Sequence, residues 1–179
     1  MHFRTRSLLA FTAAGILTLG ITSPAPAATS GITTATITVQ GGSLAITVPT
    51  GVVSLGTQVD TVSGGTVSGQ LGPVQVSDAR SAAAGSGWVA TVISSAFTPP
   101  SGPAIPASAV SYSAGAIVQV GTATYTPNNP GNLTGVAPAV TATGITGDNS
   151  ATWNPTINVA VAGGMAAGVY LATITHSVA

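Results

Sequence analysis

Cysteine, lysine and glutamate are all missing from this 179-residue chain. Without cysteine there is no thiol catalysis, no thiolate metal site and no disulfide framework. An exported domain of about 150 residues can bury an adequate core without disulfides. Charge is scarcer still. Two of the three arginines fall within the first six residues, which leaves Arg80 against Asp60, Asp78 and Asp148 in the rest of the chain. Nucleic-acid binding needs many phosphates neutralised by Lys and Arg, and adhesion to anionic lipid needs a basic patch. Both are excluded. A partner should be neutral or mixed in charge, held by aromatic and hydroxyl groups.

The same scarcity limits catalysis. Beyond the amino-terminal segment the only histidine is His176, and no Gly-x-Ser-x-Gly elbow surrounds any serine. The three aspartates are not close neighbours in sequence, as a carboxylate pair for glycoside cleavage would suggest. Asp148-Asn149-Ser150 lacks the spaced acidic ligands of a calcium loop. The expectation is a protein without catalytic residues, cofactor or metal.

Met1 to Arg6 supply a basic n-region, and Ser7 to Ile21 an uncharged apolar run too short for an ordinary membrane span. Ala25-Pro26-Ala27 then offers the small-x-small pattern read by signal peptidase. Residues 1–27 therefore read as a signal peptide and residues 28–179 as a single domain, with no integral membrane segment after cleavage. Gly, Ser, Thr and Pro abound, yet 45% of residues are hydrophobic and the mean hydropathy is +0.55. That is too apolar for disorder, so the chain folds.

Apolar residues recur with period two. Ala35, Ile37 and Val39 alternate with threonines before Gly41-Gly42, and Leu44, Ile46 and Val48 alternate after it, the pattern of a hairpin. Val74 and Val76 give a short strand ending at Ser77-Asp78. Val110 and Tyr112 pair with Ile117 to Val120 around Ser113-Ala114-Gly115, Ile157 to Val161 gives another strand, and Val169 to Val178 the longest. Trp88 to Phe97 also fits a helical stripe, but its β-branched residues favour strand. Pro99 to Ser108, Thr126 to Asn132 and Gly144 to Ser150 read as loops. Many short strands with frequent turns imply an antiparallel β-sandwich, immunoglobulin-like in general architecture.

Few residues could carry recognition. Asp78 and Arg80 lie two apart, on one strand face, where they can pair locally or Arg80 can meet a ligand carboxylate or carbonyl. Trp88 can fill a core or form a platform for sugar rings. Trp153 is in phase with Ile157, Val159 and Val161, which points to a structural role. His176 shares a strand face with Tyr170, Ala172, Ile174 and Val178, the setting of a core or rim histidine.

The stretch VQVSDARSAAAGSGWVATVISSAFT (Val74 to Thr98), with AGVYLATITHSVA at the end of the chain, resembles the WxL-type cell-surface domains of Gram-positive bacteria. The layout is closest to the secreted, WxL-like actinobacterial variety. In place of two Trp-x-Leu motifs this chain has Trp88-Val89-Ala90 and His176-Ser177-Val178, keeping a ring at each first position and losing each leucine. The resemblance implies a secreted β-sandwich that attaches non-covalently to peptidoglycan or another wall glycan and displays surface complexes. It marks Trp88, His176 and Arg80 as wall-polymer contacts, with Asp78, Trp153 and Tyr170 structural. The alternative is a self-assembling or adhesive surface component that pairs with itself or with other surface proteins.

Export is directly testable. Amino-terminal sequencing of the secreted protein is expected to start near Ala28, and a secreted form that begins at Met1 would refute the signal peptide.

Overall fold

The computed structural model describes residues 33–179. The signal-peptide reading of residues 1–27 lies outside them. Residues 33–38, the described part of a short amino-terminal unit, have no regular secondary structure and are exposed. The second unit, Val39–Ala179, is an all-β sandwich of two antiparallel sheets.

The larger sheet is built on two long strands. β3 runs from Val74 to Ser94 and pairs with β6, Ala137–Trp153. β5, Ile117–Pro127, lies on the far side of β6. The other side of β3 carries β1, Leu44–Thr47, along its first residues and β8, Ile174–Val178, along its last. The smaller sheet has the order β2 (Gly65–Gln70), β7 (Thr156–Val161), β4 (Val110–Ser113). A single 3-10 turn, Ala107–Ala109, leads into β4.

Alternation explains which face is buried. In β3, Val74, Val76, Asp78, Trp88, Ala90 and Val92 face inward, and in β6 Ala142, Ile145, Asn149, Ala151 and Trp153 do so. From the smaller sheet Val110, Tyr112, Ile157 and Val159 meet them to close one continuous core. Burial of so many β-branched and aromatic side chains, each contributing about 1.5–3 kcal/mol, is the main force holding the layers together.

Several expectations are corrected. Gly144 to Ser150 is not a loop but the middle of β6, where Gly144 and Gly147 adopt positive φ of 64° and 71° and the register to β3 shifts. Bulges let a turn-rich sequence stay in a sheet. Val74 to Asp78 does not end as a short strand but continues through Trp88 to Ser94. β4 and β5 do not form a hairpin, because β4 joins β7 in one sheet and β5 joins β6 in the other. The first half of the expected amino-terminal hairpin, residues 35–39, has no ladder partner among the described residues, and only Leu44–Thr47 forms a strand. The closing strand is shorter than Val169 to Val178, and Leu171 contributes only an isolated bridge to Thr98. The strand expected over Trp88 to Phe97 is present as far as Ser94.

Candidate functional site

Asp78 and Asn149 stand directly opposite each other on β3 and β6. The Asp78 carboxylate is fully buried. It accepts two parallel bonds from Arg80, Nε to Oδ1 and Nη2 to Oδ2, both 2.9 Å, and a third at 3.1 Å from the Arg80 backbone N–H. The forked geometry of guanidinium and carboxylate makes this a strong pairing. These Arg80 bonds hold the Asp78 pKa below the ordinary value, against the opposing effect of burial. The Arg80 side chain keeps 38% of its area in solvent and also reaches the Gly87 carbonyl. The expected local ion pair is present, but with its acid in the core instead of at the surface.

Asn149 connects this pair to two aromatic rings. Its Oδ1 accepts from Trp88 Nε1–H at 3.1 Å and from the Tyr125 hydroxyl at 3.0 Å, while Nδ2 donates to Asp78 Oδ2 at 3.4 Å. Trp88 and Tyr125 both pair in register with Ala142, one from each side. The small alanine leaves room for the rings to meet above it, with centroids 5.8 Å apart and planes tilted by 51°. Tilted contacts of this kind are favourable for aromatic quadrupoles. Trp88 is only 2% exposed. Its ring presents no face to a polymer, so of the two readings open in the sequence its burial supports the core.

A second cluster joins the two sheets. Trp153 Nε1–H donates to the Tyr112 hydroxyl at 2.7 Å, and that hydroxyl lies 3.2 Å from His176 Nε2. The phenol still has its proton to donate and a further site to accept with, so its contact with His176 suits either tautomer of the neutral ring. Burial pushes the Tyr112 pKa up to about 12 and the His176 pKa down to about 4. His176 also borders an apolar cleft of about 350 Å³ shared with Phe97, Tyr170 and Leu55. Tyr170 donates its hydroxyl to the Ala166 carbonyl at 2.8 Å, which fixes the loop before β8.

Arg80 and Trp88 are therefore brought into one network through Asp78 and Asn149, while His176 belongs to another. Four residues separate Trp88 from Val92, the partner of His176, which places the clusters roughly 13 Å apart along the strand. Asn149, Tyr125 and Tyr112 were not singled out by sequence. The two tyrosines sit in plain alternating strands, and Asn149 sits in a segment that reads as a turn. Among the described residues no buried side-chain N or O lacks a partner, and no group of three or more metal-ligating side chains gathers.

A further feature lies on the outer face of the larger sheet. Across β5 and β6 the register sets Thr126 opposite Thr141, Thr124 opposite Thr143, and Thr122 opposite Thr146. Val120 and Val118 then face Ser150 and Thr152, which in turn face Ser77 and Gln75 of β3. This surface is a grid of hydroxyl and methyl groups in which Asp148, between Thr146 and Ser150, is the one charged side chain of β6.

Truncation of Trp88 to alanine is expected to destabilise the fold by about 3–5 kcal/mol in denaturant unfolding, as for other buried large aromatics; an unchanged midpoint would contradict a core role. Acid should act in two stages. The folded His176 pKa is depressed from 6.5 to about 4, so the stability it contributes is complete above 6.5 and declines as pH falls toward 4, by at most about 3 kcal/mol. Asp78, also depressed, holds its contribution above the ordinary carboxylate value of 3.8 and loses it only below that. Unfolding midpoints between pH 7 and 3 check both stages, and His176→Gln should abolish the first alone.

No family model, no curated protein and no solved structure matches the chain.

Proposed function

We propose that this is a secreted, non-enzymatic surface protein that binds a wall glycan, peptidoglycan in the first place, without a covalent link. The observation that carries the reading is the hydroxyl grid on the outer face of β3, β6 and β5. Threonine and serine hydroxyls both donate and accept, which suits a neutral, hydroxylated polymer. Their methyl groups and the exposed Val118 and Val120 give apolar contact for the faces of sugar rings. Arg80 is the only Lys or Arg among the described residues and is the natural partner for a peptide carboxylate of the wall. Trp88 and His176 contribute from inside, as members of the two buried hydrogen-bonded clusters. The WxL-like order of motifs supports the same address. A self-assembling role is the second reading, favoured by the long uncharged edge of β5.

Co-sedimentation with purified sacculi tests the proposal. The wild-type protein is expected to pellet with the walls and to remain bound in moderate salt, since few charges are available to screen. The double variant Thr124→Glu, Thr143→Glu places acids on the grid at exposed positions. It should lose binding about tenfold, a change of roughly 1.4 kcal/mol, while its melting temperature stays within a few degrees. Wild-type protein that stays in the supernatant would overturn wall binding, and a double variant that binds normally would remove the grid from it.

A further inference from the structure

Residues 33–40, Thr-Thr-Ala-Thr-Ile-Thr-Val-Gln, have the composition of a strand and none of its pairing. They alternate hydroxyl and apolar side chains, carry no charge, and every one is exposed. Ile37 and Val39 stand 91% and 85% in solvent. β-branched alternation of this kind is stable only as part of a sheet. Gly41 and Gly42 then lead into β1, with the Gly42 N–H donating to the Ala79 carbonyl on β3.

The same molecule has an unfilled place for such a strand. β5 is eleven residues long and lies at the end of its sheet, with β6 as its only neighbour. Among the described residues its backbone makes no backbone–backbone hydrogen bond outside that ladder, and the one side-chain donor it meets is Asn128 Nδ2, 3.4 Å from the Thr126 carbonyl. Edge strands are ordinarily protected by charge, a bulge, proline or brevity. β5 has no charged residue, and its protection is limited to a bulge at Gly121 and the terminal Pro127. The other edges are shorter: β2 has six residues, β8 five, and β1 and β4 four each.

We propose that residues 33–40 of one copy add as a further strand to the outer edge of β5 in a second copy. The two surfaces match face by face. Ala35, Ile37 and Val39 would extend the row of half-buried Ile117, Ala123 and Tyr125, while Thr34, Thr36 and Thr38 would extend the row of Thr122, Thr124 and Thr126. The occupant has to come from another copy. The sheet order is β1-β3-β6-β5, so the outer edge of β5 lies about three strand spacings, roughly 14 Å, from β3 where Gly42 is held. Gln40 and Gly41 together span about 7 Å when fully extended. With all of residues 33–40 in the added strand, the connection to Gly42 is too short for a molecule to fill its own edge. Because donor and acceptor lie at opposite sides of one sheet, the contact is head-to-tail, and it generates chains or rings in preference to a symmetric dimer. This inference does not depend on wall binding.

The native chain has no cysteine, so introduced thiols report contacts without background. The secreted protein carrying Thr36→Cys is mixed, under mild oxidation, with copies carrying Thr122→Cys, Thr124→Cys or Thr126→Cys. Exposed Ser68→Cys on β2 serves as the control acceptor. Disulfide-linked dimers are expected with at least one β5 position and at a higher rate than with Ser68→Cys. Equal rates at all four positions, or preference for Ser68→Cys, would overturn the assignment. Sedimentation of the cysteine-free protein over a concentration series gives a second readout. Wild type should form species larger than a dimer as concentration rises. Ile37→Lys, at a site too exposed to affect the core, should shift that association about tenfold with no change in melting temperature. A wild-type protein that is monomeric throughout, or a lysine variant that associates as wild type does, would sink the proposal.

Discussion

A single buried carboxylate sets the terms for one half of this sandwich. Asp78 sits in the core of a protein that has almost no charge to spare, and an isolated ion there would cost several kcal/mol. Three donors from Arg80 and one from Asn149 make its burial tolerable. Asn149 can serve only because β3 and β6 place it opposite Asp78, and the same amide oxygen then orients Trp88 and Tyr125. Removal of Asn149 leaves Trp88 and Tyr125 without their acceptor, so the cluster centred on it ties together three strands. A polar network with all its members paired specifies one arrangement where an apolar core would accept several.

The second cluster does for the layers what the first does for the strands. Tyr112 belongs to the smaller sheet, whereas Trp153 and His176 belong to strands of the larger one. The phenol accepts from Trp153 and lies in hydrogen-bond contact with His176, and so locks β4 over β6 and β8. Directional bonds of this sort complement non-directional burial, which alone would allow the sheets to slide. The outer surface above them makes a few side-chain bonds of its own, Gln75 to Thr152 and Asn128 to Thr141, and its exposed hydroxyls are available for contact with other molecules.

Much of the architecture was legible in alternation, because inward valines and outward threonines follow directly from the pleat. The all-β class and the strands near Val74, Tyr112, Ile117, Val159 and Ile174 came from that signal, and the strand at Trp88 from its β-branched residues. Three features did not. β2, Gly65–Gln70, has one large apolar residue, Val67. Its inward glycines are dictated by a neighbouring segment, since a Cβ at Gly69 would come within 2.5 Å of the Leu55 carbonyl. The middle of β6 reads as a turn because Gly, Asp and Asn suit positive φ, and a bulged strand uses the same property. Residues 33–40 show the opposite failure: alternation describes what a strand needs from its sequence and is silent on whether a neighbour exists. At the site, the Asp78–Arg80 pair followed from spacing, but the partnership with Asn149 depends on register between strands some seventy residues apart.

The two tryptophans are divided between the two clusters, and this has a spectroscopic consequence. Each indole is buried, each donates its N–H to a neighbour, and each lies beside a different tyrosine. Emission from Trp88 therefore reports on the end of the sheet held by Asn149, and emission from Trp153 on the seam between the layers. With a phenylalanine in one position at a time, fluorescence would follow the loosening of each end separately. The molecule thus carries a built-in pair of optical probes able to tell whether its two halves come apart together or in sequence.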